Sequence, residues 1–329
     1  MPEIHQPTLF CFGLGYCATR LARALRDEGW RIIGTSRDAA ALRRLAAEGF
    51  EVLPFSREAW LDDGSALLAQ ASHVLSSVPP DELGDPVLDL CGDALRARAG
   101  LAGGGARAEN ESSRAGLASG GPIAKTNPAI QWIAYLSTTG VYGDRGGAEV
   151  DEMAPLLPTS ERGRRRVAAE GGWRALFADG LPVHIFRLAG IYGPGRSALD
   201  ALRAGTARRV RKAGHVFSRI HVDDVVQVLR ASIARPEPGA VYNVCDDDPA
   251  PSEEVVAFAA KLLGVAPPPL IDFEAADLSA MARSFYADNK RVSNRRIKAL
   301  GVRLDYPSYR DGLMVIAAAV SPTPPGDAR

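Results

Sequence analysis

Thr8-Leu9-Phe10-Cys11-Phe12-Gly13-Leu14-Gly15-Tyr16-Cys17-Ala18 is the stretch on which the fold turns. An apolar run precedes two closely spaced glycines, and a helical pattern continues to about Glu28, so the segment reads as strand, tight turn and helix start. That geometry suits a phosphate. Gly13 allows the sharp turn, Gly15 lets the backbone approach a pyrophosphate beside Leu14, Tyr16 and Cys17, and the small Ala18 lets helix and strand pack closely. The helix N-terminus presents unpaired N–H groups and the positive end of its dipole. Two glycines also make a plain tight turn, so the flanking elements carry the reading.

Beyond the turn, Cys17, Ala18, Leu21, Ala22 and Leu25 recur at helical spacing, with Arg20, Arg23, Arg26 and Asp27 on the other face. Gly29 ends the helix, and Arg31-Ile32-Ile33-Gly34-Thr35 reads as a second strand. A carboxylate after that strand would hold the ribose 2′-hydroxyl of NAD. Ser36 and Arg37 stand there instead, and a guanidinium beside a hydroxyl suits a 2′-phosphate, which favours NADP over NAD. The alternative is that Arg37 is a solvated residue opening the next helix. Residues 38–48 read as a helix, 50–53 as a short strand and 73–78 as another. Strands alternating with helices mean a Rossmann-type α/β fold with a doubly wound parallel sheet. Ser77, Val78 and Pro79 end their strand at the carboxyl edge, where ligands of such sheets bind.

The 329 residues, 46% of them hydrophobic, suffice for one large domain or two lobes. Lys and Arg together number 39, as do Asp and Glu, so no overall charge draws the chain to nucleic acid or an anionic membrane. The opening residues lack a basic region followed by an apolar one, and no apolar run is long enough to span a bilayer. A soluble cytoplasmic protein is the expectation. Cys11, Cys17, Cys91 and Cys245 show no metal-ligand spacing and read as buried reduced thiols, with no metal site. Residues 98–127 are rich in Gly, Ala, Ser and Arg with hardly any large apolar side chain, and read as a flexible insertion.

After it, residues 131–137 form a strand that delivers Ser137-Thr138-Thr139-Gly140-Val141-Tyr142-Gly143 to the same carboxyl edge. Arg187-Leu188-Ala189-Gly190-Ile191-Tyr192-Gly193-Pro194-Gly195 and His221-Val222-Asp223-Asp224 follow. Together these stretches resemble the extended short-chain dehydrogenase/reductase family, and within it the NAD-dependent nucleotide-sugar epimerases and dehydratases. The resemblance covers nearly the whole chain outside the insertion. It implies a dinucleotide-binding domain over 1–195 and a small C-terminal substrate lobe over 196–329, with 240–245 returning to the sheet. Relatives often dimerise through a four-helix contact, so a homodimer is among the expectations.

In that family the hydroxyl three residues before Val-Tyr-Gly polarises the reacting oxygen, a role that falls on Thr138. The resemblance also places Leu188, Ala189 and Ile191 where a nicotinamide would be covered. The usual Tyr-x-x-x-Lys is absent: Arg162 stands at the tyrosine position and Arg166 at the lysine position. A guanidinium exchanges no proton near neutral pH, so Arg162 offers charge, and Arg166 a hold on ribose or phosphate. Proton donors would have to come from Tyr142, Asp144 or Tyr192, whose rings and turn positions fit simple packing as well. Arg203, Arg208, Arg209, Arg211 and Lys212 lie where relatives contact a diphosphate, which suits an anionic substrate or a sugar nucleotide and equally a solvated basic loop. Two functions follow: an NADP-dependent oxidoreductase or epimerase-like enzyme moving a hydride at a carbinol or carbonyl carbon, and a non-catalytic NADP-binding sensor or scaffold.

Overall fold

The computed structural model describes residues 6–60, 62–99 and 128–320. In chain order the first half comprises β1 (Thr8–Phe12), α1 (Tyr16–Asp27), β2 (Arg31–Ser36), α2 (Ala39–Ala47), β3 (Glu51–Pro54), α3 (Asp62–Leu68), β4 (His73–Ser76), α4 (Pro86–Arg96), β5 (Trp132–Thr138), β6 (Glu149–Val150) and α5 (Glu161–Ala178). Then come β7 (Val183–Leu188), β8 (Gly190–Tyr192), α6 (Ala198–Arg203), β9 (Arg209–Arg211), β10 (Arg219–His221), α7 (Val222–Ala234), β11 (Val241–Val244), α8 (Ser252–Leu263), β12 (Leu270–Asp272), α9 (Ala280–Phe285), β13 (Arg291–Val292), α10 (Arg295–Ala299) and α11 (Tyr309–Val320).

Every residue of β1 is buried, which is possible because both faces of its sheet are covered. Leu9 and Cys11 point into one apolar layer with Leu21 and Leu25 of α1 and Val225 and Leu229 of α7. Phe10 and Phe12, one residue out of phase, enter the opposite layer with Val87 and Leu95 of α4 and Trp173 and Leu176 of α5. Among the described residues the central sheet has seven strands in the order β11-β7-β5-β4-β1-β2-β3, with each pair parallel. The order reverses on either side of β1, and the carboxyl ends of β1 and β4 meet there. This is the doubly wound arrangement expected of a Rossmann-type fold.

Of the insertion expected over 98–127, residues 100–127 lie outside the described residues, as do 1–5 and the tail from 321. Arg98 departs from the expectation. It is buried, and its guanidinium donates to Leu68 O at 2.8 Å, to Ala71 O at 2.7 Å and to Pro128 O. The residues flanking the insertion therefore meet at one place, under the N-terminal ends of β4 and β5.

Helices α8 and α11, which follow β11, pack with α6 around Tyr192, Leu199, Val255, Ala259, Tyr309 and Leu313. Short parallel pairs, β8 with β10 and β9 with β12, connect this C-terminal part to the loops leaving β7. No helix among the described residues is long and apolar enough to cross a membrane.

Candidate functional site

The glycine turn is held from three strands. Gly13 has φ +82°, a conformation open to glycine, and its N–H donates to Thr35 Oγ1 at 2.9 Å. Leu14 N donates to Thr35 O at 2.8 Å, and the Leu14 side chain lies over Gly34, where any Cβ would run into it. From the other side, Ser77 Oγ donates to Gly13 O at 2.5 Å and Ser77 N to Phe12 O at 2.9 Å. Val78 packs against Gly13 as well.

Above this cradle, α1 begins with Gly15 as its cap residue, no side chain among the described residues caps its first N–H groups, and no acidic residue occupies its first turn. A Cβ on Gly15 would meet nothing nearer than Ser77 Oγ at 4.0 Å. The turn thus leaves backbone donors and a positive dipole end facing open space, which fits a pyrophosphate. Cys17 and Ala18 are buried in the helix–sheet contact, and burial pushes the Cys17 thiol up to about 11, so it is an unreactive thiol. Tyr16 reaches across the cleft: its hydroxyl donates to Pro194 O at 3.0 Å, with Arg20 and Arg196 over its ring.

At the end of β2, Ser36 accepts the Asp38 N–H, and Asp38 Oδ1 accepts from Ala40 N as the cap of α2. Arg37 is exposed, and its side chain makes no hydrogen bond or ion pair among the described residues. The carboxylate nearest the ribose side is thereby committed to the helix, and the guanidinium is not. Pro79 is exposed beyond β4, while Leu188 and Ala189 are buried at the end of β7, with Ala189 N donating to Val244 O. Ile191 is half-buried in β8.

Thr138 sits half-buried at the tip of β5 and caps a 3-10 turn, Thr139–Tyr142, by accepting from Gly140 N at 3.2 Å. Its hydroxyl proton has no acceptor among the described residues. Gly163 of α5 abuts Gly140 O, so the helix carrying the two arginines packs on this turn. Arg166 Nη1 donates to Leu136 O and, at 3.3 Å, to Tyr135 OH, which places its charge beside the C-terminal half of β5. Arg162 is exposed, and its side chain makes no hydrogen bond or ion pair among the described residues.

The three residues considered as proton donors are engaged elsewhere. Tyr142 OH donates to Asn243 Oδ1 at 2.7 Å and accepts from Arg187 Nη1 at 2.9 Å. Arg187 in turn pairs with Glu170 at 2.8 Å, and Glu170 accepts from Ser137 Oγ at 2.6 Å; both members of the ion pair are almost wholly buried. Burial raises the Tyr142 phenol above its ordinary value. Tyr192 donates to Ser308 O, and burial raises it too. Asp144 accepts from Asn289 N and Gly146 N, which holds its carboxyl below the ordinary value and therefore ionised at neutral pH.

The basic stretch before β10 does not converge on one point. Arg208 donates to Asp277 O, Arg209 to Glu253 O, Arg211 pairs with Asp272, and Lys212 bonds Tyr286 O while lying over Phe273. Arg219, a residue that sequence reading passed over, is half-buried in the wall of a lobe cavity.

No family model matches the chain. A solved structure of a conserved protein of unknown function from Silicibacter pomeroyi DSS superposes with a TM-score of 0.80 at 49% identity, covering 96% of this chain and 100% of that one. The chain shares its family with that protein and its fold with the NAD-dependent epimerases and dehydratases. Among the latter, dTDP-glucose 4,6-dehydratase from Bacillus anthracis in complex with NAD gives a TM-score of 0.69 at 16% identity, covering 95% and 96% of the two chains. UDP-glucuronic acid 4-epimerase from Bacillus cereus in complex with NAD gives 0.69 at 15%, covering 94% and 96%. Among curated relatives, Protein YeeZ of Escherichia coli K12 is 27% identical over 266 residues, 78% of this chain and 84% of that one. A 3-diazoavenalumate denitrifying reductase from Streptomyces sp. is 29% identical over 189 residues, 51% of this chain and 59% of that one.

Proposed function

We propose that the chain binds a nicotinamide dinucleotide, NADP in preference to NAD, along the carboxyl ends of β1, β2 and β4, and acts as an oxidoreductase or epimerase-like enzyme on a carbinol or carbonyl carbon of a small molecule. One observation carries this reading: the start of α1 has no side-chain cap among the described residues, is free of acid and is open above Gly15. Gly13 to Ala18 would hold the pyrophosphate, Ser36 and the unpaired Arg37 the 2′-phosphate, Ser77 to Pro79 the middle of the dinucleotide, and Leu188, Ala189 and Ile191 the nicotinamide end. The bound dinucleotide supplies the hydride donor or acceptor.

Thr138 has an accepted bond from Gly140 and a free hydroxyl proton, so it donates to the reacting oxygen of a substrate. Arg166, anchored on Leu136 O, adds fixed positive charge beside that oxygen. The relatives support the chemistry in kind: the NAD-bound epimerase and dehydratase share the fold, and the Streptomyces relative is a reductase.

A second reading, a non-catalytic NADP-binding sensor or scaffold, draws on one further observation. Arg162 projects outward and the Tyr142 hydroxyl is closed into the Asn243–Arg187 network, so neither offers an exchangeable proton to a group at Thr138. Titrating the protein with NADPH and NADH, then screening the NADPH complex with carbonyl compounds and sugar nucleotides for loss of nicotinamide absorbance, separates the two. Binding with substrate-dependent oxidation establishes the enzyme. Binding without turnover moves the conclusion to the sensor, and absence of binding refutes both.

A further inference from the structure

A cavity of about 560 Å³ lies in the C-terminal part of the chain, walled chiefly by Tyr192, Arg219, Val255, Val256, Tyr309 and Leu313. That volume is ample for a small molecule. The hydride chemistry at Thr138 does not use these residues.

Arg219 gives the cavity its fixed charge. Its Nη1 donates to Phe217 O and to Ala250 O, each at 2.8 Å, which holds the guanidinium plane in place. Nε and Nη2 make no hydrogen bond, and no carboxylate forms an ion pair with the group, among the described residues. Asp246 would be the natural counter-ion, since its backbone N–H donates to Arg219 O at 2.7 Å. Its Oδ1 accepts from Asp248 N, its Oδ2 has no partner among the described residues, and burial pushes the carboxyl up to about 8, which favours the protonated form at neutral pH. Arg219 has no paired carboxylate among the described residues, and its guanidinium lies over the Phe217 ring at 5.6 Å. The Tyr309 hydroxyl, in the same wall, has no hydrogen-bond partner among the described residues.

The rest of the wall does not suit a nucleoside diphosphate, whose several negative charges call for several convergent cations. The second basic residue, Arg196, stacks on Tyr16 at 5.7 Å. Asp200, held by Ser197 Oγ at 2.6 Å, brings a negative charge to the same rim. One guanidinium, one free phenol and walls of alanine, valine and leucine match a single carboxylate on an apolar body.

From Arg219, the Tyr309 hydroxyl and these walls we infer that the cavity binds a small monocarboxylate with an apolar or aromatic body, in preference to a sugar nucleotide. The assignment of that ligand as the substrate rests on the dinucleotide reading; the site itself does not. The test is calorimetric titration with cinnamate, benzoate and hexanoate, with methyl cinnamate and UDP as controls, on wild type, Arg219→Met and Arg219→Lys. At least one acid binds, methyl cinnamate and UDP bind at least about tenfold more weakly, Arg219→Met weakens the acid by about tenfold or more, and Arg219→Lys restores part of it. A parallel NADPH titration shows that the variants are folded; should Arg219→Met not fold, the acid–ester comparison and Arg219→Lys decide. The inference is overturned if none of the acids binds, if ester and acid bind alike, if UDP binds more tightly, or if Arg219→Met leaves the acid unaffected. Acid binding without NADPH binding refutes the dinucleotide reading alone, and the reverse refutes this site alone.

Discussion

The Ser77 hydroxyl donates to the Gly13 carbonyl oxygen at 2.5 Å, tying the tip of β4 to the turn that follows β1. Because Gly13 holds φ +82° and a Cβ there would stand 2.9 Å from that same hydroxyl, Gly13→Ala is strained twice over. NADPH binding, followed by fluorescence, is expected to be lost. Ser77→Ala removes one hydrogen bond, worth about 1 kcal/mol of stability, and weakens binding less. Equal affinity of wild type and Gly13→Ala would contradict the placement of the pyrophosphate.

The Arg37 side chain has no partner among the described residues, while Asp38 is bound as a helix cap. Arg37→Asp is therefore expected to weaken NADPH binding by about tenfold or more while leaving NADH binding nearly unchanged or improved, because a guanidinium–phosphate bond is worth about 1.5–3 kcal/mol. Parallel loss of both dinucleotides would show that Arg37 does not discriminate between them.

Glu170→Gln leaves Arg187 as a buried charge without its carboxylate, and also disturbs the bond from Ser137. Breaking such a pair costs on the order of 3–5 kcal/mol. Urea unfolding is expected to show a loss of that order, with NADPH affinity retained in the fraction still folded. A change below about 1 kcal/mol would mean that the network is not a structural support.

Asp246 has its carboxyl raised by burial from 3.8 to about 8. Between those values the folded state holds a proton that the unfolded state has released, so stability falls as pH rises through that window. Asp246→Asn, which keeps the acceptor for Asp248 N, removes this dependence. Its gain in unfolding free energy over wild type, measured by urea denaturation, is expected to be larger at about pH 8 than at about pH 5, by about 1 kcal/mol or more. Against the burial, the hydrogen bond from Asp248 N and then the Arg219 charge favour ionisation, while the Asp248 and Asp247 carboxylates oppose it. A gain independent of pH would contradict a protonated Asp246.

What the sequence made legible was local. The glycine turn, the apolar run of β1 and the strand-end hydroxyls at Ser137 and Thr138 lie in contiguous stretches, and the structure brings them to one sheet edge. Tyr142 was not legible in the same way, because its partners Asn243 and Arg187 come from distant strands that only the sheet order makes neighbours. Arg98 sits in a stretch of low-complexity composition, yet its guanidinium gathers three carbonyls from separate segments. The C-terminal part offered little periodicity to read: β9, β10 and β12 have three residues each, and Arg219 gains its importance from a cavity assembled by α6, α8 and α11.

Tyr16 also ties two parts of the molecule together. Its ring is rooted in the first turn of α1, and its hydroxyl donates to the carbonyl of Pro194, immediately before Gly195 and Arg196 in the wall of the lobe cavity. One tyrosine thereby moors the rim of the lobe cavity to the helix start above the glycine turn, and the two hollows share a wall that this side chain braces.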